Sequence, residues 1–406
     1  MQDRRHQVAY LLITAFTLLQ LVILFIFGYT PYPDSNGYLL IAEECIAHGE
    51  PYPVSTLLHD YPFLWNIGAI NAVALSLKLF HSVTPLLILY SLMKGATAAL
   101  FYAVTRKLTS SRVALIALIL YVVYPANYGE STSTLSELPF MFFVMAGMYC
   151  SLVRKQSFVG GMLLAIANWF RPMAIIFLIA LLVTLLFKWR KSIKLVAGYV
   201  CMIVIIGTAT MMRTGSFLYQ AKTGWFALSD YSTSHAEASM QVRERGEWDV
   251  SEKDNAWRTL FFDWLQEHLA EYVSQMPQKF VNTYVSDNVN LCTFVPDKRE
   301  KEYMYEEVSL GTLISVFPHY SPVQWLTLLN LFIYYLFLLT ACISLFHFRS
   351  VTHLLPVSVI ALGTLLLLFF GHGEARFHIP FMPFFIMLAA LFINFKGQLI
   401  DGNEAH

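Results

Sequence analysis

Long apolar runs separated by short polar breaks dominate the chain. The stretch from Val8 to Tyr29 carries no charged residue. Comparable runs recur at about 85–105, 113–126, 134–152, 172–187, 193–212, 325–346, 354–371 and 378–395, with a shorter one at about 158–170. Roughly 20 apolar residues in helix cross a hydrocarbon layer about 30 Å thick. The pattern therefore predicts an all-α polytopic membrane protein, a single integral membrane domain over 1–406 with about ten to eleven transmembrane helices. The upper count depends on 61–80, an apolar stretch broken by Pro62, Trp65, Asn66 and Asn71.

Two regions depart from the pattern, 30–84 and 213–324. In the second, Trp257, Leu260, Phe261, Trp264, Leu265, Leu269, Tyr272, Val273, Met276 and Phe280 recur at three- and four-residue spacing. That periodicity predicts an amphipathic helix with a break near Pro277. Asp249 to Asp254 ahead of it supply helix-starting residues.

Composition agrees with the pattern. Of 406 residues, 57% are hydrophobic and 13% charged, about half the charged share of a soluble domain. Mean hydropathy is +0.55. The first run is too long for a cleaved signal peptide, and Pro31-Tyr32-Pro33-Asp34 follows it in place of a small-residue cleavage site. Formal net charge is zero, which gives nucleic acid no footprint. The five cysteines form no CxxC pair, and sequence leaves open whether Cys45 and Cys292 bond to each other.

Lys and Arg in short loops orient a membrane protein. With Arg4 and Arg5 cytoplasmic, the groups Arg106-Lys107-Arg112, Arg154-Lys155, Lys188 to Lys194, Arg349 and Lys396 all fall on the same side if 61–80 does not cross. We therefore read 61–80 as interfacial helices on the outer face, with 30–84 and 213–324 as outer loops. This places the chain in the cytoplasmic (inner) membrane with both termini cytoplasmic.

In that arrangement several ionisable groups gather near the outer ends of spans, where each needs a partner or a task. They are Asp34, Glu130, Glu137, Arg171, and the turn Gly371 to Pro380 with Glu374, Arg376 and His378. Lys94 lies inside an apolar run and calls for an anion, either a buried carboxylate or a lipid phosphate. An arginine suits phosphate oxygens, a histidine adds a donor or a proton, and a carboxylate can take a proton from a hydroxyl. Structural readings stand beside these. Asp34 reads equally as a turn residue before Gly37, Glu374–Arg376 as a helix-end ion pair, Arg171 as a side chain reaching the headgroups, and Glu137 as a helix-start residue. No Walker loop, GxSxG, HExxH or zinc-spaced Cys/His cluster occurs. The first outer loop lacks an Asp-x-Asp pair, so a metal-bridged donor is not favoured, although Asp34 and a distant glutamate remain compatible with a divalent metal.

The order of short motifs resembles the GT-C fold glycosyltransferases that use polyprenyl-phosphate sugars, a group that includes the protein O-mannosyltransferases and the lipid A aminoarabinose transferases. The matching pieces are Asp34-Ser35-Asn36-Gly37-Tyr38, Gly49-Glu50-Pro51-Tyr52, Tyr61-Pro62-Phe63-Leu64-Trp65, Arg171-Pro172 and Glu374-Ala375-Arg376-Phe377-His378-Ile379-Pro380. The resemblance implies a GT-C-like bundle with Asp34 as catalytic base and Arg376 and His378 on the donor phosphate. Arg171 joins them. His59 or Lys94 takes the place of a lysine that the family often carries before its Pro-Pro element. Glu137, Glu374, Glu130 and Tyr38 are left as acceptor-binding or supporting residues. The expected activity is inverting transfer of a sugar from a polyprenyl-phosphate donor to a hydroxyl of a glycolipid, surface glycan or exported protein at the outer face, with no cofactor required. The alternatives are a polymerase or ligase of lipid-linked oligosaccharides using a diphosphate donor, a transporter or lipid flippase, and a non-enzymatic scaffold.

Overall fold

The computed structural model describes residues 2–49, 66–186, 188–231, 236–244, 250–295, 321–346, 351–371 and 373–403. Among them every regular element is a helix. Five helices are long and apolar enough to cross a membrane: Arg4–Phe27, Thr84–Leu108, Trp189–Arg213, Pro322–Phe346 and Ala375–Phe395. A sixth candidate is bent by 78° between Ser111–Val123 and Pro125–Thr132. The other apolar helices have 10–17 residues. At 1.5 Å per residue these fall short of the full hydrocarbon thickness when straight. The chain is an all-helical polytopic membrane protein. Large apolar side chains such as Leu11, Phe25, Val204, Met212, Phe332 and Phe346 project from the long helices, as lipid-facing residues do.

Helix α1 (Gln2–Phe27) ends at Gly28, whose φ of +66° caps it with a bond from Gly28 N to Leu24 O of 2.8 Å. Helix α2 (Pro33–Ala47) follows, and Pro33 sits in its first turn, where a missing N–H costs nothing. The turn residues of 31–37 thus start a helix, and Asp34 occupies its first turn instead of an open loop. Helix α3 (Ile67–Phe80) packs on α2, on α4 (Thr84–Leu108) and on α7 (Ser157–Phe170) through Ile67, Ala69, Ile70 and Val73, while Leu75, Leu79 and Phe80 face outward. Residues 61–65 of the expected interfacial stretch lie outside the described residues.

Helix α5 (Ser111–Val123) stops before Pro125, and the chain then makes two short 3-10 turns through a polar, buried segment. A buried segment without helix must find other partners for its backbone. Gln20 Nε2 donates to Asn127 O at 2.9 Å, Asn290 Nδ2 to Ala126 O at 2.9 Å, and Thr30 N to Thr132 O at 2.9 Å. Asn330 Oδ1 accepts from Ala126 N at 2.9 Å. Gly129 has a φ of +89° and lies against the backbone of Asn290, so a side chain there would be both strained and crowded. Helix α6 (Glu137–Met148) begins from this fixed point.

Helices α7 and α9 (Trp189–Thr214) make a close contact in which Gly161 meets Leu195 O and Gly198 meets Phe158 O, so neither position has room for a Cβ. Helix α8 (Ala174–Thr184) lies between them in sequence, after the break at Arg171-Pro172. The later polar region holds α10 (Thr223–Tyr231), α11 (Ala236–Glu244), α12 (Val250–Ser274, kinked at His268) and α13 (Met276–Tyr284). Trp257 and Trp264 of α12 pack against Val242, Phe226 and Leu228 in small cores of their own. The break falls at Gln275, with Pro277 in the first turn of α13, close to where the proline predicts it. The chain closes with α14 (Pro322–Phe346), α15 (Leu354–Phe370), a 3-10 turn (Ala375–Phe381) and α16 (Met382–Asn403).

Candidate functional site

Four ends of elements meet at one place. Asp34 lies in the first turn of α2, Glu137 begins α6, Arg171 follows α7, and Arg376 lies in the turn before α16. Arg376 Nη2 is 2.7 Å from Asp34 Oδ2, and its Nε is 3.4 Å from Glu137 Oε1 and 3.3 Å from Glu374 Oε1. Glu137 Oε1 also lies 2.6 Å from Arg171 Nη1, an electrostatic contact without hydrogen-bond alignment. One buried carboxylate thus holds two guanidiniums. The Phe377 ring faces both, at 5.1 Å from Arg171 and 6.0 Å from Arg376, a cation–π arrangement that fixes their planes.

Access differs across the group. The Glu137 side chain is 2% exposed and that of Arg376 12%, whereas Asp34 is 28% exposed. Glu374 is the most open of the carboxylates. Asp34 and Glu374 are therefore the groups most open to a ligand, Arg376 is only slightly open, and Glu137 supports from behind.

A second layer holds the first. Asn66 Nδ2 donates to Tyr38 Oη at 2.7 Å and to Ser136 Oγ at 3.0 Å, and Ser136 Oγ donates to Glu137 Oε2 at 3.4 Å. Burial raises the Tyr38 phenol above its ordinary value, and the Asp34 and Glu137 carboxylates push it further. Tyr38 stays a neutral hydroxyl and is no base. Gly373, with a φ of +78°, lets the turn carrying Glu374 and Arg376 pass close to the Lys279 backbone, 3.0 Å from where a Cβ would be.

Asp34, Tyr38, Glu137, Arg171, Glu374 and Arg376 are thus brought together. Three other expected donor-binding or supporting residues are placed elsewhere. His378 is fully buried; its Nδ1 donates to Thr283 O at 2.7 Å and its ring lies between Tyr284 and Tyr334, with centroids at 5.4 and 5.2 Å. The turn at 375–381 points it away from Arg376, into packing. Lys94 and Glu130, both buried, pair with each other, and Lys94 Nζ also donates to Asn127 Oδ1 at 3.1 Å. The anion that Lys94 called for is a carboxylate of the protein. His59 lies outside the described residues. Cys45 and Cys292 belong to different buried clusters and form no disulfide.

Asn66, Ser136 and Phe377 were not singled out from sequence as site residues. Asn66 alone carried a signal, an amide inside an apolar stretch. The chain matches no protein-family model and no curated protein.

Proposed function

We propose that the chain is a membrane glycosyltransferase of the GT-C type, transferring a sugar from a polyprenyl phosphate to an acceptor hydroxyl with inversion. The observation that carries this reading is the contact between Asp34 and Arg376, a partly exposed carboxylate beside a mostly buried guanidinium, drawn from opposite ends of the chain. In this reading the shorter apolar helices also cross, giving ten to eleven spans in the inner membrane. The basic ends, such as Arg106 and Lys107 in the last turn of α4, face the cytoplasm, and the site faces outward.

The chemistry follows from the roles. The donor phosphate takes the Nη edge of Arg376, which releases the Asp34 carboxylate from its ion pair. Asp34 accepts the proton of the acceptor hydroxyl as that oxygen bonds to the anomeric carbon. The bond from that carbon to the phosphate oxygen breaks, and its electron pair leaves with the polyprenyl phosphate. Arg376, held by Glu137 and Glu374, faces the charge that grows on the leaving group, and Arg171 stands behind it. Glu137 and Phe377 position the guanidiniums. Glu374 lines the approach of the acceptor, which is a glycolipid, surface glycan or exported protein, and the buried Tyr38 supports the site from behind. No cofactor is required.

The test is Asp34→Asn in membranes supplied with labelled polyprenyl-phosphate sugar. Loss of a general base lowers transfer by about 10²–10⁴-fold, and the variant should remain monodisperse in detergent. Undiminished transfer would remove Asp34 from the chemistry. One other reading has a specific observation behind it. The sealed Lys94–Glu130 pair inside the bundle is also what a transporter or lipid flippase carries. Substrate movement in vesicles with no new glycosidic bond would favour that reading.

A further inference from the structure

Behind the candidate site the bundle encloses a second polar centre. Its cavity measures about 20 Å³ and is lined by Lys94, Asn127, Glu130, Tyr124, Asp287 and Asn290 among others. That volume holds one water or an ion of similar size. Counted in ordinary ionisation states, the lining carries one ammonium and two carboxylates. Lys94 and Glu130 cancel each other. Asp287, 2% exposed, is left over.

Asp287 is held but not neutralised. Tyr124 Oη donates to its Oδ2, and Asn330 Nδ2 donates at 2.6 Å to its backbone oxygen. Its Oδ1 is buried and has no hydrogen-bond partner among the described residues. His378 does not supply the missing charge. Among the described residues no ion pair joins its ring to Asp287: its Nδ1 donates to Thr283 O, and its Nε2 is buried with no hydrogen-bond partner among them. An unpaired buried charge is unfavourable, so Oδ1 calls for a positive partner.

We propose that this cavity binds a small monovalent cation, of sodium size, coordinated by Asp287 Oδ1 and neighbouring neutral oxygens of the lining. Hard oxygen donors select a hard cation. A net charge of minus one, with the Lys94 ammonium in the same wall, disfavours a divalent ion. The bound ion ties Asp287, and with it Tyr124 and Asn330, to the polar segment from which Glu137 starts. The proposal does not depend on the glycosyltransferase reading.

The test is thermal unfolding of the full chain in nanodiscs, in sodium chloride against choline chloride at equal ionic strength and pH. Sodium should raise Tm in a saturable way, and radioactive sodium should bind with a stoichiometry of one. In Asp287→Asn, Tm should cease to respond to sodium. Asp287→Glu keeps a carboxylate and covers the case in which Asp287→Asn fails to fold: it moves the charged oxygens by one methylene, so the half-saturating sodium concentration should shift, and an unchanged half-saturation would overturn the proposal. A wild-type Tm equal in the two salts, no bound sodium, or an undiminished response in Asp287→Asn would each overturn the proposal. So would a Tm insensitive to sodium but dependent on pH only when Asp287 is present, because the neutralising species would then be a proton.

Discussion

The Arg376 group and the Lys94 group are made of the same chemistry, cations held by carboxylates, the first in a turn between helices and the second inside α4. They differ in what surrounds them. Lys94 and Glu130 are enclosed by α4, α5 and the buried 125–132 segment, with an asparagine oxygen completing the ammonium. Arg376 has three carboxylates around it, two of them partly open to solvent. A sealed pair cannot exchange its partner for a ligand without unfolding something. A half-open pair can, because water or an incoming anion replaces the partner that leaves. Equal charge pairing therefore implies different uses, and accessibility separates them.

The comparison breaks most readily at Lys94. Lys94→Met leaves two carboxylates in one enclosed cavity, and losing one partner of a buried pair costs about 3–5 kcal/mol. Chemical unfolding in detergent micelles should register that loss, and adding Glu130→Gln should recover part of it. A Lys94→Met protein as stable as wild type would mean that the centre is not sealed. At the other group, Glu137→Gln removes the carboxylate shared by two arginines. Its contacts with both guanidiniums are electrostatic and not aligned hydrogen bonds, and Arg376 keeps two other carboxylates, so stability should fall by less than at Lys94. The KM for the phosphate donor should rise more than kcat falls, since Arg376 keeps Asp34 and Glu374. The reverse split would give Glu137 a part in the chemistry.

Lys279 sharpens the comparison through pH. Burial lowers its ammonium below the ordinary lysine value, with its charge over the Tyr272 ring at 4.7 Å. Between the lowered folded value and the ordinary unfolded one, the unfolded chain binds more protons, so stability rises as pH increases through that window. Lys279→Met should flatten the rise, read as Tm against pH on the alkaline side. An unchanged slope would assign it to other groups. The smallest effect belongs to a partly exposed pair, Lys222 Nζ to Asp254 Oδ2 at 3.3 Å. Lys222→Ala should cost under about 1 kcal/mol, less at high salt. A larger loss would mean that α10 and α12 depend on it.

The sequence made several pieces legible for local reasons. Val8 to Tyr29 can only be an apolar helix, and Pro277 can only begin or break one. Glu137 was readable as a helix start and Arg171-Pro172 as a break. Other pieces were not. Pro31 to Gly37 looks like a turn from its residue types, but Pro33 at a first helical position starts α2, so Asp34 points from a helix. His378, two residues from Arg376, looked like a second phosphate contact. In the 3-10 turn it faces Thr283 and two tyrosines instead. Asp287 lies in the polar run Ser286 to Asn290, where nothing marks one carboxylate as buried.

What the sequence determined by itself is the membrane class, the positions of the apolar helices and the presence of ionisable residues at their ends. These depend on hydropathy and on local backbone preferences, which act over a few residues. Partner choice was decided by the tertiary structure alone. Whether Lys94 meets Glu130 or a ligand, and whether Arg376 meets Asp34, depends on where helices distant in sequence place their ends. The same placement sets how much water reaches each pair, and that is fixed only when the bundle closes.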